Sequence, residues 1–591
     1  MTEASALADV EIHYVDNVTS AVRFMTWISE RVGPIAVDTE TTGLDKFKDR
    51  IRLIQFGDEQ IGWAIPFERW GGIAIEALDR WHGEIVMHNA KYDTALIERE
   101  LGRKLDRSKI HDTMMMARVI DSTQSAALKS LTARLIDRRA AAAQRVLDDA
   151  MSENGWTWAT VPLDFKWYWF YGGLDTVLTL RIFHHFQPML DAGPRPAYEL
   201  EMAAQWIALA MEQKGARIDR AFTQATLDSF VANLGEVEAW TDAHYGLTPG
   251  SDVKIIERLQ ADGCRLTKMT KSGSRLALDA EVLESIPHHP LAAAVLQYRR
   301  TRKLAGTYLE NFLAFADEDG FLHPNINTCE ARTSRMSVDT PALQTLPRKS
   351  DDNPLAIAVR NCFIPRDGHQ LVMCDFDQIE ARMFAHLCED VAMRAAFAEG
   401  DFFTNMAREI YGDPTIQKSD PRRQLTKNAI YAIAYGSGLR KFCMTAGITE
   451  EQGKPFWNAL HAKFPGIKTF QRAVGNVAAQ RKGAEGQPYV MSPLTGRRHV
   501  ADDGKEYALV NYLIQGTAAE VLKMKLVELD NAGLGAYMIL PVHDEVIFDV
   551  PADIVPDVSR VIKDVMEERD LFAVPLTAGV DVAPRWGMKG A

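Results

Sequence analysis

Short apolar runs that end on polar residues recur through the first 190 positions of this 591-residue chain. PIAVDTE, IRLIQFG and EIVMHNA each put apolar residues ahead of a polar end, as strands do. From Asp175 through Phe186 the apolar residues fall at helical spacing. An α/β domain covering residues 1–190 is predicted. Its end is marked by Asp191-Ala192-Gly193-Pro194-Arg195-Pro196, which carries a glycine and two prolines. From Tyr198 to about Leu313 the pattern is mostly helical, and LEMAAQWIALAMEQKG stops on Gly215 as a helix should. LVMCDFD and YMILPVHDEVIFDV read as strands, with residues 393–485 between them largely helical. No internal repeat or long low-complexity tract is present.

Composition narrows the class. Hydrophobic residues make up 47% and charged residues 25%, the values of an ordinary globular protein. No run of roughly 18 apolar residues offers a membrane span. The acidic N-terminus MTEASALADVEIHYVD is no secretory signal. The 6 cysteines form no C-x-x-C pair, so a reduced cytoplasmic chain without zinc or disulfides is expected. The net charge of −13 argues against a polyanionic partner only weakly, because a cleft needs local positive charge alone. Arg299-Arg300-Thr301-Arg302-Lys303, Arg422-Arg423 and Arg497-Arg498 are local basic patches, and each read singly is a solvated face.

Two acidic clusters change the picture. Asp38 and Glu40, spaced i, i+2 on a strand, share one face. Asp93 follows in HNAKYD, after Asn89. Asp175 follows in YGGLD, with Tyr171 one helical turn earlier and so beside it. Four carboxylates brought to one point repel unless cations hold them, and oxygen ligands favour Mg²⁺ or Mn²⁺. Two such ions can activate water against a phosphodiester, with Tyr171 orienting that water.

The second cluster lies in the C-terminal half. Asp375 ends the apolar run LVMC, and Asp544 and Glu545 interrupt PVHDEVIFDV, where charge is costly unless paired or metal-bound. Asp375 with Asp544 is the minimum pair for a two-metal site, and the Phe376 carbonyl could add an oxygen ligand. Between them, Arg423, Lys427, Tyr431 and Tyr435 are each four apart and form one helical stripe ending at Gly436. Two cations followed by two aromatics have the chemical order of a nucleotide laid along the helix.

The ordered set D-x-E, N-x-x-x-D and Y-x-x-x-D resembles the DnaQ-like 3′→5′ exonucleases with a tyrosine in the third motif. That likeness implies a ribonuclease-H-like fold and a proofreading site. DFDQIEAR, R-x-x-x-K-x-x-x-Y-x-x-x-Y-G and VHDE resemble motifs A, B and C of family A DNA polymerases, the DNA polymerase I type. SRMSVDTPALQTLP, VRNCFIP, NYLIQGTAAE and LQYRRTRKLAGTYLE extend the match. This resemblance implies a multi-domain α/β chain with a right-hand polymerase at residues 191–591. Its thumb would lie at about 198–330, its palm at about 331–392 and 500–591, and its fingers at about 393–499. It implies Asp375, Phe376 and Asp544 as metal ligands, with two Mg²⁺ per active site (or Mn²⁺). Glu380 would exclude a 2′-hydroxyl, with Gln378 beside it in the same motif at the nucleotide. Arg423 and Lys427 would hold the triphosphate, Lys427 serving also as an acid toward pyrophosphate. Tyr431 would pack on the nucleotide and Tyr435 would guard the template base. Arg335, Arg360, Asn511, Gln515 and His543 would contact DNA near the primer end. Primer-template DNA and deoxynucleoside triphosphates are the implied partners.

Three departures from the family pattern stand out. Phe403 sits where a triphosphate-binding histidine is common, Tyr507 where an arginine is common, and Tyr431 where several bacterial members have phenylalanine. The tyrosine implies ready use of dideoxynucleotides. With no 5′-nuclease segment ahead of the first domain, the form resembles bacteriophage replicative enzymes acting in the host cytoplasm. LENFLAFADEDGFLHPNIN runs without an insertion, so a thioredoxin partner is not expected. An exonuclease with a degenerate polymerase half, a single-subunit RNA polymerase and a non-catalytic DNA-binding module compete with this reading. The intact Asp375, Asp544, Lys427 and Arg423 oppose the first, Glu380 the second, and two complete acidic sites the third.

Overall fold

Six strands, the central ones apolar and buried on both faces, form the sheet of the N-terminal domain. The strands are β1 (Glu11–Tyr14), β2 (Ile35–Thr41), β3 (Ile51–Gly57), β4 (Ile61–Pro66), β5 (Ile85–Met87) and β6 (Ile110–Asp112). They are ordered β1-β4-β3-β2-β5-β6 in a computed structural model that describes residues 7, 9–270, 272–346, 355–397, 400–434 and 437–588. β3 runs antiparallel to β2 and β4, whereas β5 is parallel to β2 and β6 to β5. A three-strand antiparallel meander extended by parallel strands is the expected ribonuclease-H-like sheet. All of β3 is buried, as is all of β2 except Asp38.

Three helices bring side chains to that sheet: α1 (Ala90–Leu101), α2 (Leu128–Leu135) and α3 (Lys166–Asp191). α3 lies directly on β2, β3 and β4. Gly172 and Gly173 permit the approach. A Cβ at Gly172 would lie 2.4 Å from Gln55 Nε2, and one at Gly62 of β4 would lie 2.2 Å from the Gly173 carbonyl oxygen. The YGG of YGGLD therefore sets the height of Asp175 above β2.

The next helix, α4 (Arg195–Lys214), packs against both halves of the chain. β7 (Ala216–Arg217) pairs with β8 (Phe321–Leu322), and between them stand the long helices α5 (Arg220–Tyr245) and α6 (Pro290–Lys303). β9 (Asn325–Asn327) and β10 (Ser337–Asp339) form a short ribbon. The central C-terminal sheet has the order β14-β15-β11-β16, with β11 at His369–Phe376, β14 at Met538–Val542, β15 at Glu545–Pro551 and β16 at Ala578–Ala583. Helix α7 (Ile379–Leu387) follows β11, and α8 (Phe402–Tyr411) and α9 (Pro421–Ala434) fall in the stretch 393–485 read as largely helical. A second ribbon, β12 (Tyr489–Met491) with β13 (Arg498–Val500), precedes the buried helix α10 (Leu509–Asn531). Among the described residues no helix is long and apolar enough to cross a membrane.

Two glutamates on α4 hold the halves together. Glu201 is fully buried and accepts from Arg497 beside β13 and from Lys523 of α10. Glu212, also fully buried, accepts from Lys91 of α1 at 2.5 Å and faces Lys46 at 2.9 Å. Glu212 also takes the backbone N–H of Ile326 in β9, at 2.6 Å. The basic patches read as solvated faces are largely paired: Arg299 with Asp252, Arg300 with Glu284 and Arg422 with Asp420, while Arg497 is a core residue. Removing one partner from a buried charge cluster leaves the rest uncompensated. Glu201→Leu is expected to lower stability by about 3–5 kcal/mol, read as a shift of the urea transition. Adding Lys523→Met should recover part of the loss. A Glu201→Leu protein as stable as the wild type would show that the cluster does not hold the halves.

Candidate active sites

The first site is built on β2. Asp38 and Glu40 lie two apart on this strand, next to the start of α1, which carries Asp93, and to α3, which carries Tyr171 and Asp175. Asp38 lies close enough to Glu40, Asp93 and Tyr171 to shift each of them, and Asp175 joins through Lys129, which pairs with it and is held by Glu40 and Asp38 as well. Burial raises the carboxyls. Asp38 is pushed up to about 6 by burial, against the Thr39 N–H and the Lys129 charge. Glu40 and Asp93 are raised well above the usual range by burial and then by the charge of Asp38. Burial, reinforced by Glu40 and Asp38, keeps the Tyr171 hydroxyl protonated.

Lys129 of α2 was not among the predicted residues. Its ammonium pairs with Asp175 and sits 4.2 Å from the centre of the Tyr171 ring. Burial lowers its pKa to about 7, against the pull of Glu40 and Asp38. The only sequence signal was a lone cation in the otherwise apolar turn AALKSL. Asp93 meanwhile accepts from Thr39 Oγ1 at 2.5 Å. The carboxylates are thus shared out among protein donors, and among the described residues no three His, Cys, Asp or Glu side chains close on a single point. The donor set is all oxygen, strained by burial and mutual repulsion, and already draws one cation to Asp175. Those are the properties a divalent ion relieves.

The second site lies where β11 meets the β14–β15 hairpin. Asp375 pairs directly across from Glu545 in the antiparallel register, and the Phe376 N–H donates to the Asp544 carbonyl at 3.2 Å. Residues 375–376 and 544–545, far apart in sequence, therefore form one acidic floor. Glu545 is buried in it, so the third acid belongs to the site's electrostatics. Above the floor opens a cleft of about 500 Å³ lined by Arg335, Glu380, Tyr431, His543 and Asp544 among others. Arg335 is ion-paired with Glu380. Asn511 and the buried Gln515 lie one turn apart on α10.

The stripe on α9 faces α8. Arg423 makes a two-pronged pair with Asp401, at 2.7 and 2.8 Å. Burial would push the Asp401 carboxyl up, but Arg423 and the Thr404 hydrogen bonds outweigh it and hold it well below the usual range. Tyr435 lies outside the described residues. Arg360 is turned toward the protein, donating to the Leu346 carbonyl at 3.2 Å with its guanidinium 4.6 Å from the Trp586 ring. Tyr507 is 61% exposed, one turn ahead of Asn511.

Backbone strain marks both sites. Among the described non-glycine residues, six adopt the left-handed region that favours glycine: Thr340 (φ 51°) and Glu389 (φ 53°) away from the predicted site residues, and Asn89 (φ 68°), Ser334 (φ 54°), Gln378 (φ 55°) and His543 (φ 59°) at them. Each of the last four adjoins a predicted site residue or is one. Such conformations persist only where the surroundings enforce them, and nothing in a single sequence announces them.

A ribonuclease-H-like acidic site followed by a separate acidic cleft defines a two-site enzyme of phosphoryl transfer. The profile of the 3′-5′ exonuclease family matches residues 15–191, and that of DNA polymerase family A matches residues 220–588. A DNA polymerase of Mycobacterium phage D29 is 30% identical over 92% of this chain and 91% of its own. One from Mycobacterium phage L5 is 27% identical over 97% of this chain and 95% of its own. A solved structure, the POL domain of Pol1 from M. smegmatis in complex with DNA primer-template and dNTP, superposes with a TM-score of 0.80 at 20% identity. It covers 98% of this chain and 100% of that one. The chain belongs to DNA polymerase family A and carries a 3′-5′ exonuclease domain. It is a DNA-directed DNA polymerase with 3′-5′ exonuclease activity. Domains of these families normally use divalent cations.

Raised carboxyls set the sign of a metal effect. Unfolded Asp and Glu lose their protons near pH 4, whereas folded Asp38 holds its proton to about 6. The folded protein therefore binds more protons in this window, and its stability falls as pH rises through it. A cation that replaces those protons stabilises more at higher pH. In an Asp375→Asn background, Mg²⁺ is expected to raise the melting temperature more above this window than below it, against chelator controls. Asp38→Asn should diminish the gain. An equal Mg²⁺ shift at both pH values, or one untouched by Asp38→Asn, would contradict this assignment.

Proposed function

We propose that primer extension takes place on the floor formed by Asp375 and Asp544, and strand excision at Asp38, Glu40, Asp93 and Asp175. The observation that carries this reading is the junction of β11 with the β14–β15 turn, which joins two distant acidic segments beneath a cleft of nucleotide size. Asp375, Asp544 and the Phe376 carbonyl would hold two Mg²⁺ ions, or Mn²⁺, and the four N-terminal carboxylates another two. When bound, such ions supply Lewis-acid charge to the phosphoryl and leaving oxygens. The chain's own residues position the reactants. Arg423 and Lys427 hold the triphosphate, and Lys427 gives a proton to the departing pyrophosphate. Tyr431 packs on the sugar and base. Glu380, with Gln378 at the start of α7, closes the space a 2′-hydroxyl would need. Arg335, Asn511, Gln515 and His543 line the primer side, and Arg360 supports that wall through Trp586. In the other domain the protonated Tyr171 hydroxyl orients the attacking water.

The palm is proposed to be built on β11 and β14–β16, the fingers on the helices from α8 to the segment before β12, and the thumb on α5 and α6. Primer-template DNA and deoxynucleoside triphosphates are the proposed partners, without thioredoxin, and replication in a host cytoplasm is the proposed duty. The similarity to two mycobacteriophage polymerases along nearly their full length supports the replicative reading.

Separated activities test it. Asp375→Ala should reduce extension by at least about a hundredfold while sparing 3′ shortening, a loss of the size that removing a transition-state electrostatic group produces. Asp38→Ala should do the reverse. Shortening that survives Asp38→Ala would remove the N-terminal assignment. Extension that survives Asp375→Ala would remove the other. At Tyr431, whose ring centre lies 5.6 Å from that of Phe403, substitution to Phe should increase rejection of dideoxynucleotides. Measured incorporation ratios unchanged by Tyr431→Phe would discard that role.

A further inference from the structure

Phe403 occupies a position where a hydrogen-bonding histidine was expected, and its ring can donate nothing to a phosphate. What it does instead is visible in its neighbours. The Arg423 guanidinium carbon lies 5.8 Å from the ring centre and the Lys427 ammonium also lies 5.8 Å from it. The Tyr431 ring stands 5.6 Å away, tilted by 47°. All three described members of the α9 stripe therefore converge on one side chain of α8. Phe403 itself is 2% exposed, and Phe402 packs edge-on against it at 5.1 Å. Phe402 in turn stacks on Phe397 at 3.9 Å. The ring thus cannot swing away from the cations it faces. Asp401, two residues earlier, caps α8 through the Thr404 N–H and grips Arg423 from the other side.

We infer that Phe403 is a positioning residue for the incoming nucleotide, an aromatic platform whose face fixes the Arg423 and Lys427 head groups where a triphosphate meets them. This rests on the proposal that those two cations bind the triphosphate. The physical case is that an aromatic face attracts a cation through its quadrupole and does so more strongly when water is excluded. Arg and Lys carry large side-chain entropy, so a surface that orders them beforehand removes a cost otherwise met on binding. A neutral ring also offers no proton to lose, so the platform's contribution does not change with pH.

Single-turnover primer extension tests the inference, with Phe403→Leu, Phe403→Tyr and Lys427→Met compared with wild type. Phe403→Leu keeps an apolar side chain but removes the face. It is expected to weaken dNTP binding roughly tenfold and pyrophosphate inhibition by a similar factor, with primer-template affinity unchanged. Phe403→Tyr retains the face and should stay within about twofold of wild type. If Lys427→Met weakens nucleotide and pyrophosphate binding while Phe403→Leu leaves both intact, the platform is refuted. Equal damage from Phe403→Leu and Phe403→Tyr also refutes it. If Lys427→Met itself leaves nucleotide and pyrophosphate binding unaltered, the underlying triphosphate assignment fails, and the platform with it. Should Phe403→Leu lack a melting transition, Phe403→Met takes its place with the same two outcomes.

Discussion

One helix carries the charges on which the arrangement of both sites depends. Glu201 and Glu212 of α4 are separated by about three turns, which puts them on nearly the same face. Each is fully buried, and each meets two cations from elsewhere in the chain. Burying a carboxylate carries a desolvation penalty of several kcal/mol, so neither position tolerates the loss of its partners. The partners are placed consequentially. Lys91 lies two residues before Asp93, so Glu212 fixes the start of α1 where the exonuclease carboxylate projects. Lys523 lies two turns beyond Gln515 on α10 and also donates to the Ser334 carbonyl at 2.7 Å, beside Arg335. The same helix therefore references both active sites.

The two sites balance like charge differently. In the exonuclease domain the carboxylates are buried among apolar strands, and Lys129 with Thr39 absorbs part of the repulsion. In the polymerase domain the acids sit at the open end of a sheet, with a backbone hydrogen bond between Phe376 and Asp544 fixing their separation. Directly opposed like charges on adjacent strands are unfavourable, and the Asp375–Glu545 register places such a pair there. Val372, Met373, Val546 and Ile547 are almost wholly buried, and because neighbours on a strand point to opposite faces, both faces of the sheet are packed around that pair.

How much of this was legible in the sequence depended on distance along the chain. D-x-E on a strand, Tyr171 one turn before Asp175 and the run Arg423, Lys427, Tyr431 on α9 are local periodicities, and each formed as expected. The strand candidates became β2, β3, β5, β11 and the β14–β15 hairpin for the same reason. Lys129 was not legible, because its partner Asp175 is reached only by packing α2 on α3. Phe403 registered as a departure, but its role needed the spatial meeting of α8 and α9. Arg497 shows the opposite error: half of an apparent surface patch is a core cation, since sequence shows charge but not its partners. Helix α4 was legible as a helix, but its two buried glutamates were indistinguishable from solvated ones.

On the proposed assignment, editing requires the primer end to pass from the cleft at Asp375 to the carboxylates around Asp38 and Asp175. Two routes exist in principle: the domains swing, or the strand moves between fixed domains. Swinging would pull Lys91 and Lys46 from Glu212, or Arg497 and Lys523 from Glu201, and so break buried ion pairs. A mismatched primer terminus has already lost pairing and stacking, so the strand can move without disturbing them. The charge clusters on α4 therefore make the DNA the moving part. A rigid frame also suits the Phe403 platform, whose alignment of Arg423 and Lys427 has value only if the palm floor beneath the nucleotide stays where it is.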